Sequence, residues 1–166
     1  MMESILAQVS SILNPGKNFK VKNPAQGNDG SLVMACLQVI PADCSRLKGL
    51  DLLQQSLVHH WLTYLQLHLA HCTSLQEFLG KLQYVNKELS NRDYLCGFSL
   101  TVADLLFFLL LQPFVTTWTY HQKERLCNIS RWYNCVQSCG YFDNAKKQPI
   151  KFSRSLLYLD DTINIV

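Results

Sequence analysis

The chain has 166 residues, of which 48% are hydrophobic and only 16% are charged. The length fits one ordinary domain, and the composition excludes an intrinsically disordered protein. A net charge of +3 is too small for the concentrated basic face of a nucleic-acid-binding protein. We therefore expect a folded protein that makes no direct contact with nucleic acid, and the low charge content indicates that a partner covers part of its surface.

Membrane insertion and secretion are not expected. The most apolar run, residues 105–111, is far shorter than the roughly 20 residues that span a membrane. The acidic start at Met1-Met2-Glu3 is unlike a secretory signal. Seven cysteines, an odd number, favour reduced thiols in a cytosolic protein. The predicted location is the cytoplasm, with the nucleus kept open as a second location.

The first 44 residues carry a weak structural signal. Apolar residues at helical spacing predict a helix over residues 3–13, and the prolines and glycines of residues 14–30 predict a loop. Alternation over residues 17–22 is compatible with one short edge strand. The apolar segment 32–40 is ambiguous, and we favour a helix there.

The helical signal becomes strong after Gly49. A wide apolar stripe, with Asp51 at the position where a helix start favours an acid, predicts a helix over residues 50–69. The stripe comprises Leu50, Leu53, Leu57, Val58, Trp61, Leu62, Leu65 and Leu69. Ser74 and Glu77 have the spacing of a capping box that opens the next helix, over residues 75–89.

The most informative stretch surrounds Thr101. Thr101 and Asp104 have the spacing of a capping box, and Leu100 and Leu105 that of a hydrophobic staple. The helix that they open is apolar on nearly every side, which is typical of a central helix packed all round. Short helices are predicted at about residues 120–127 and 129–138, and a final apolar turn at residues 156–159.

Residues 97–105 resemble the start of the core helix in the C-terminal domain of the glutathione S-transferase superfamily. Residues 94–97, 124–133 and 54–64 narrow the match, because they resemble the elongation factor 1 epsilon family. These proteins are the small auxiliary scaffold proteins of the multi-aminoacyl-tRNA synthetase complex. The resemblance covers roughly residues 45–159, and the Asn-x-Ser-Arg-Trp run at residues 128–132 is its most specific part.

The resemblance implies a mainly all-α fold with two parts. Residues 45–166 are expected to form a glutathione S-transferase C-terminal-like helical bundle. Residues 1–44 are expected to form a reduced thioredoxin-like lobe, because they are too few for a complete one.

The resemblance also implies a non-catalytic scaffold without a cofactor. Its expected partners are methionyl-tRNA synthetase, glutamyl-prolyl-tRNA synthetase and other scaffold proteins of the complex. By position, Arg131 is the expected centre of the contact with the glutamyl-prolyl enzyme, and Asn128 and Trp132 flank it. A divergent glutathione transferase is the alternative, and a transferase-like domain separated from an elongation factor or a synthetase is a third hypothesis.

Other chemistry is weakly indicated. His68 and Cys72, like Cys135 and Cys139, lie four residues apart, but zinc sites commonly use CxxC-type pairs, which this chain lacks. We interpret these residues as thiols and surface imidazoles and expect no metal. Asn128 begins a glycosylation sequon, but in a cytosolic protein Asn128 or Ser130 is better explained as a helix N-cap.

Overall fold

The computed structural model describes residues 40–69, 71–72 and 74–142, together with residues 8–9, 12–13, 37–38, 150 and 152. The regular secondary structure of this part of the chain is helical, apart from an isolated antiparallel bridge between Tyr94 and Gly97, and turns and loops connect the helices. The mainly all-α fold class is therefore confirmed. The predicted strand, the final apolar turn and most of the predicted N-terminal lobe lie outside the described residues.

The residues that are described within the predicted N-terminal helix, residues 3–13, are helical. Residues 8–9 and 12–13 are helical, and Val9 and Leu13 are buried. A 3₁₀-helix then spans Ala42–Lys48. The predicted domain boundary between residues 44 and 45 falls inside this element and stays a prediction.

The first long helix, α1, spans Leu52–Tyr64 and continues as a π-helix over Leu65–Leu69. Asp51 caps it, since its carboxylate accepts a hydrogen bond from the amide of Gln54 at 2.6 Å. The second half of the apolar stripe is buried as predicted, but Leu50 and Leu53 are exposed. The stripe is shorter than predicted because Gln54 occupies the inward position of the first turn, where its side chain donates to the carbonyl of Cys96.

Helix α2 spans Leu75–Glu88 and is followed by a 3₁₀-turn over Leu89–Asn91. Ser74 is its N-cap and accepts from the amide of Gln76. The reciprocal half of the predicted capping box does not form, because the carboxylate of Glu77 pairs instead with Lys81 one turn later.

Helix α3 spans Val102–Val115 and is the central helix of the bundle, as predicted. Every side chain from Val102 to Leu111 is buried. The helix runs two residues beyond Pro113. The hydroxyls of Thr116 and Thr117 donate to the carbonyls of Pro113 and Phe114, which satisfies backbone acceptors at the helix end.

Two shorter helices complete the described bundle. Helix α4 spans Tyr120–Arg125, with Thr119 and Gln122 as its capping box, and α5 spans Cys127–Gln137. Helix α5 packs against α2, α3 and α4, and α3 also packs against α1. Within the described residues, no helix combines the length and the hydrophobicity that crossing a membrane requires.

Candidate protein-interaction site

The carboxylate of Asp104 joins three segments inside the bundle. Asp104 and Thr101 form the reciprocal pair of a capping box. One oxygen, Oδ2, accepts from the amide and the hydroxyl of Thr101 at 2.9 and 2.8 Å. The other, Oδ1, accepts from the amide of Leu95 and the indole Nε1 of Trp132, both at 2.9 Å. Burial raises the pKa of Asp104 above its ordinary value, and the four hydrogen bonds offset part of that rise.

The predicted hydrophobic staple, Leu100 and Leu105, lies beside this capping box. Leu100 is partly buried against the core, and Leu105 is fully buried. A hydrophobic pair across the first turn fixes the angle at which the chain enters a helix. The carboxylate of Asp104 and the apolar flanks together determine where α3 begins.

Trp132 lies inside the protein rather than on its surface. Its side chain is fully buried, its indole donates to Asp104, and its ring packs edge-on against Phe107. The expectation that Trp132 contacts a partner is therefore wrong, because a fully buried side chain offers no surface to one. Its role in this structure is to fix α5 against α3.

Asn128 is half-buried, and it is held by the neighbouring helix α2. Its backbone amide and that of Ile129 both donate to the side-chain oxygen of Asn86, at 3.0 and 3.1 Å. Its side-chain amide donates to the carbonyl of Asn86 at 2.9 Å. The expectation that Asn128 or Ser130 caps its own helix is wrong. Helix α5 already begins at Cys127, before both residues, and Asn86 supplies the acceptor for the first amides of that helix.

Arg131 lies on the surface, with 44% of its side chain exposed. Its guanidinium donates to the carboxylate of Asp93 at 2.9 Å and to the carbonyls of Leu89 and Arg92, each at 2.7 Å. These contacts use three of the five N–H donors of an arginine. The guanidinium is thus fixed in one orientation beside residues 89–93, which follow α2, while part of the side chain faces solvent.

Sequence reasoning missed Asn86 and Asp93. Asn86 lies 42 residues before Asn128, and Asp93 lies 38 residues before Arg131. No local spacing rule links residues so far apart, since capping and ion-pair patterns in sequence reach only about four residues.

Sequence reasoning also missed an exposed apolar corner. We use the name apolar corner for Leu50, Leu52, Leu53 and Phe98, whose exposed fractions are 68%, 83%, 72% and 79%. Gln54 brings the two segments together, since its side chain bonds to the amide of Leu50, the carbonyl of Cys96 and the hydroxyl of Ser99. Contiguous exposed apolar side chains are typical of interaction sites.

Known proteins share both the fold and the sequence pattern. Residues 73–138 match the glutathione S-transferase C-terminal domain family. The chain is 28% identical to eukaryotic translation elongation factor 1 epsilon-1 of Cricetulus griseus over 80% of this chain and 82% of that protein. Its human counterpart is 29% identical over 65% of this chain and 62% of that protein. The chain is a homologue of elongation factor 1 epsilon-1.

A second kind of relative is a much larger protein. The bifunctional glutamate/proline-tRNA ligase of Mus musculus is 28% identical over 82% of this chain, but the match covers only 9% of the ligase. The helical bundle of this elongation factor 1 epsilon-1 homologue is thus a glutathione S-transferase C-terminal-like fold, and a similar segment occurs within that ligase.

This homologue also carries a groove of about 410 Å³ along α1. It is lined by Ser56, His59, His60, Thr63, Tyr64, Leu67 and His68. Burial raises the pKa of Tyr64, whose hydroxyl donates to the carbonyl of Lys81.

In the region that the structure describes, no three potential metal ligands lie close enough together to hold a metal ion. The thiol of Cys72 donates to the carbonyl of His68.

Proposed function

We propose that this chain is a non-catalytic scaffold of a multi-aminoacyl-tRNA synthetase complex. Its Arg131 surface docks the transferase-like segment of glutamyl-prolyl-tRNA synthetase. Its further partners are methionyl-tRNA synthetase and other scaffold proteins of that complex, and it acts in the cytoplasm, with the nucleus as a second location.

The observation that carries this proposal is the way in which Arg131 is held. An arginine on a long flexible side chain loses conformational entropy when a partner fixes it. Asp93 and two backbone carbonyls fix the guanidinium of Arg131 before any partner binds. A pre-ordered arginine binds a carboxylate at a lower entropic cost, and arginine is among the residues enriched at binding hot spots.

The two kinds of relatives support the choice of partner. One is named a translation elongation factor and the other a glutamate/proline-tRNA ligase, and each match covers about four fifths of this chain. The choice of this partner is an inference from that similarity at the level of the fold.

The test is a binding measurement between the purified full chain and the transferase-like segment of the glutamyl-prolyl enzyme. We expect Arg131→Ala to weaken binding by at least about thirtyfold, which is the range of a hot-spot residue. Arg125→Ala is the matched control, since Arg125 is another exposed arginine one helix earlier and its loss changes the net charge equally. We expect Arg125→Ala to bind like the wild type.

A second variant separates contact from folding. Asp93→Asn keeps the guanidinium but removes its charged partner, so we expect an intermediate loss of affinity with the fold intact. Wild-type affinity in a folded Arg131→Ala protein would remove Arg131 from the contact. Retention on glutathione-agarose with measurable thiol conjugation would instead favour the transferase alternative.

A further inference from the structure

Two cysteines at the end of α5 lie four residues apart, and the scaffold function makes no use of them. Cys135 lies in the last turn of α5, and Cys139 follows the C-cap Ser138. Both are half-buried free thiols. The Sγ atom of Cys139 lies 3.2 Å from the carbonyl oxygen of Cys135, so Cys139 folds back over the turn that carries Cys135.

Tyr94 approaches the same pair from the loop before α3. Its hydroxyl lies 3.6 Å from the Sγ atom of Cys139. The hydrogen bond with Cys139, followed by burial, raises the pKa of Tyr94, and Cys135 also contributes to the rise. A tyrosine that keeps its proton is able to donate to a thiolate at Cys139, and the thiolate is the reactive form of cysteine.

We propose that Cys135 and Cys139 are a redox pair that closes an intramolecular disulfide when the protein meets hydrogen peroxide. The Cys139 thiolate attacks one peroxide oxygen, the O–O bond breaks, and the departing hydroxide takes a proton to become water. This leaves a sulfenic acid on Cys139. The proposal does not depend on the scaffold function.

The second step forms the bond between the two sulfurs. The Cys135 thiolate attacks the sulfur of the sulfenic acid, the S–S bond forms, and the S–O bond breaks. The departing hydroxide takes the proton that Cys135 released and becomes a second water. The two thiols together lose two electrons and two protons, and one hydrogen peroxide is reduced to two waters.

Closure needs a small movement at a place where the backbone allows it. Residues four apart on a helix have Cβ atoms about 5–6 Å apart, whereas a disulfide needs about 3.5–4.5 Å. Helix α5 ends at Gln137, so Ser138 and Cys139 lie outside the regular helix, and the closure distorts only its last turn. We expect dithiothreitol to reopen the bond easily because a strained disulfide is more reducible.

The test treats the full chain with hydrogen peroxide, alkylates the remaining thiols and digests it with trypsin. Cleavage after Arg131 and Lys146 gives a peptide that contains Cys135 and Cys139 and no other cysteine. We expect this peptide to lose two hydrogen atoms and to regain them after dithiothreitol. Cys135→Ser should stop the loss, and the sulfenic acid on Cys139 should then be trapped by dimedone.

Cys72 is the matched control. Its thiol donates to the carbonyl of the residue four positions earlier, just as that of Cys139 does, but that residue is His68. The tryptic peptide with Cys72 contains no second cysteine, so we expect it to gain oxygen and never to lose two hydrogens. The proposal is overturned if Cys135 and Cys139 both remain alkylatable at a peroxide dose that oxidises Cys72, or if Cys139 is found joined to a cysteine other than Cys135.

Discussion

Replacing Asp104 with alanine should be the most damaging polar substitution in the bundle. The carboxylate accepts from the amides of Thr101 and Leu95, from the Thr101 hydroxyl and from the indole of Trp132. Its side chain is fully buried, so no bulk water replaces it when it is removed. Asp104→Ala therefore leaves buried donors on three separate segments without their acceptor.

The magnitude follows from the number of orphaned donors. The hydroxyl of Thr101 also lies 3.5 Å from the Sγ atom of Cys96 and keeps that contact, so three donors are left. Each unpaired buried donor costs about 1–3 kcal/mol, and partial relaxation limits the total to about 3–6 kcal/mol. For a chain of this length, that loss of unfolding free energy corresponds to a melting temperature lower by about 6–24 °C.

Urea denaturation followed by tryptophan fluorescence measures the loss directly. Asp104→Asn keeps the shape but replaces one acceptor oxygen with an amide group, so it should lose two of the hydrogen bonds and lie between the wild type and Asp104→Ala. Asp43→Ala is the control, because Asp43 is exposed and should change stability by less than about 0.5 kcal/mol. A loss below about 1 kcal/mol in Asp104→Ala would refute the assignment of Asp104 as the residue that joins these segments.

Two further predictions concern pH and the α2–α5 contact. Burial raises the pKa of Asp104, so between the unfolded and the folded pKa the native state holds a proton that the unfolded chain has released. The unfolding free energy of the wild type should therefore fall relative to Asp104→Asn as the pH rises above about 4, and a gap that widens with pH would contradict this sign. Asn86→Ala removes the acceptor for two amides of α5 and should cost about 1–2 kcal/mol in urea denaturation, whereas the exposed Asn134→Ala should cost less than about 0.5 kcal/mol. Equal stability of the two asparagine variants would show that α5 does not need the cap.

Local pattern predicted much of the helical bundle. The start of α3 was predictable because the capping box and the staple lie within six consecutive residues, and its central position because Val102 to Leu111 carry no outward polar face. The same reasoning failed for Ser74 and Glu77, where Lys81 competes for the carboxylate. A pattern of residue types and spacings does not show which of two nearby partners a side chain will bond to.

The candidate site was only partly predictable for a different reason. Trp132 and Arg131 are neighbours in sequence, but successive helical residues point about 100° apart, so one faces the core and the other the solvent. The 3.6-residue period of a helix predicts that neighbouring residues face different sides. The Asn-x-Ser-Arg-Trp motif nevertheless led us to expect both Arg131 and Trp132 at the protein interface. The contacts of Arg131 with Leu89 and Asp93 depend on how α2 and α5 pack, which no short spacing encodes.

This division of roles connects the buried carboxylate with the surface arginine. The hydrogen bond from Trp132 to Asp104 fixes the rotation of α5 about its axis, since the indole reaches the carboxylate only when that side of the helix faces α3. When α5 has this rotation, Arg131 points toward Asp93 and toward the backbone carbonyls of the residues that follow α2. Asn86 holds the start of the same helix from α2. The orientation of the exposed guanidinium is therefore a consequence of polar contacts at the start and the middle of α5. If Arg131 is the contact that we propose, a substitution at Asp104 that leaves the chain folded should still weaken the measured binding of the synthetase segment.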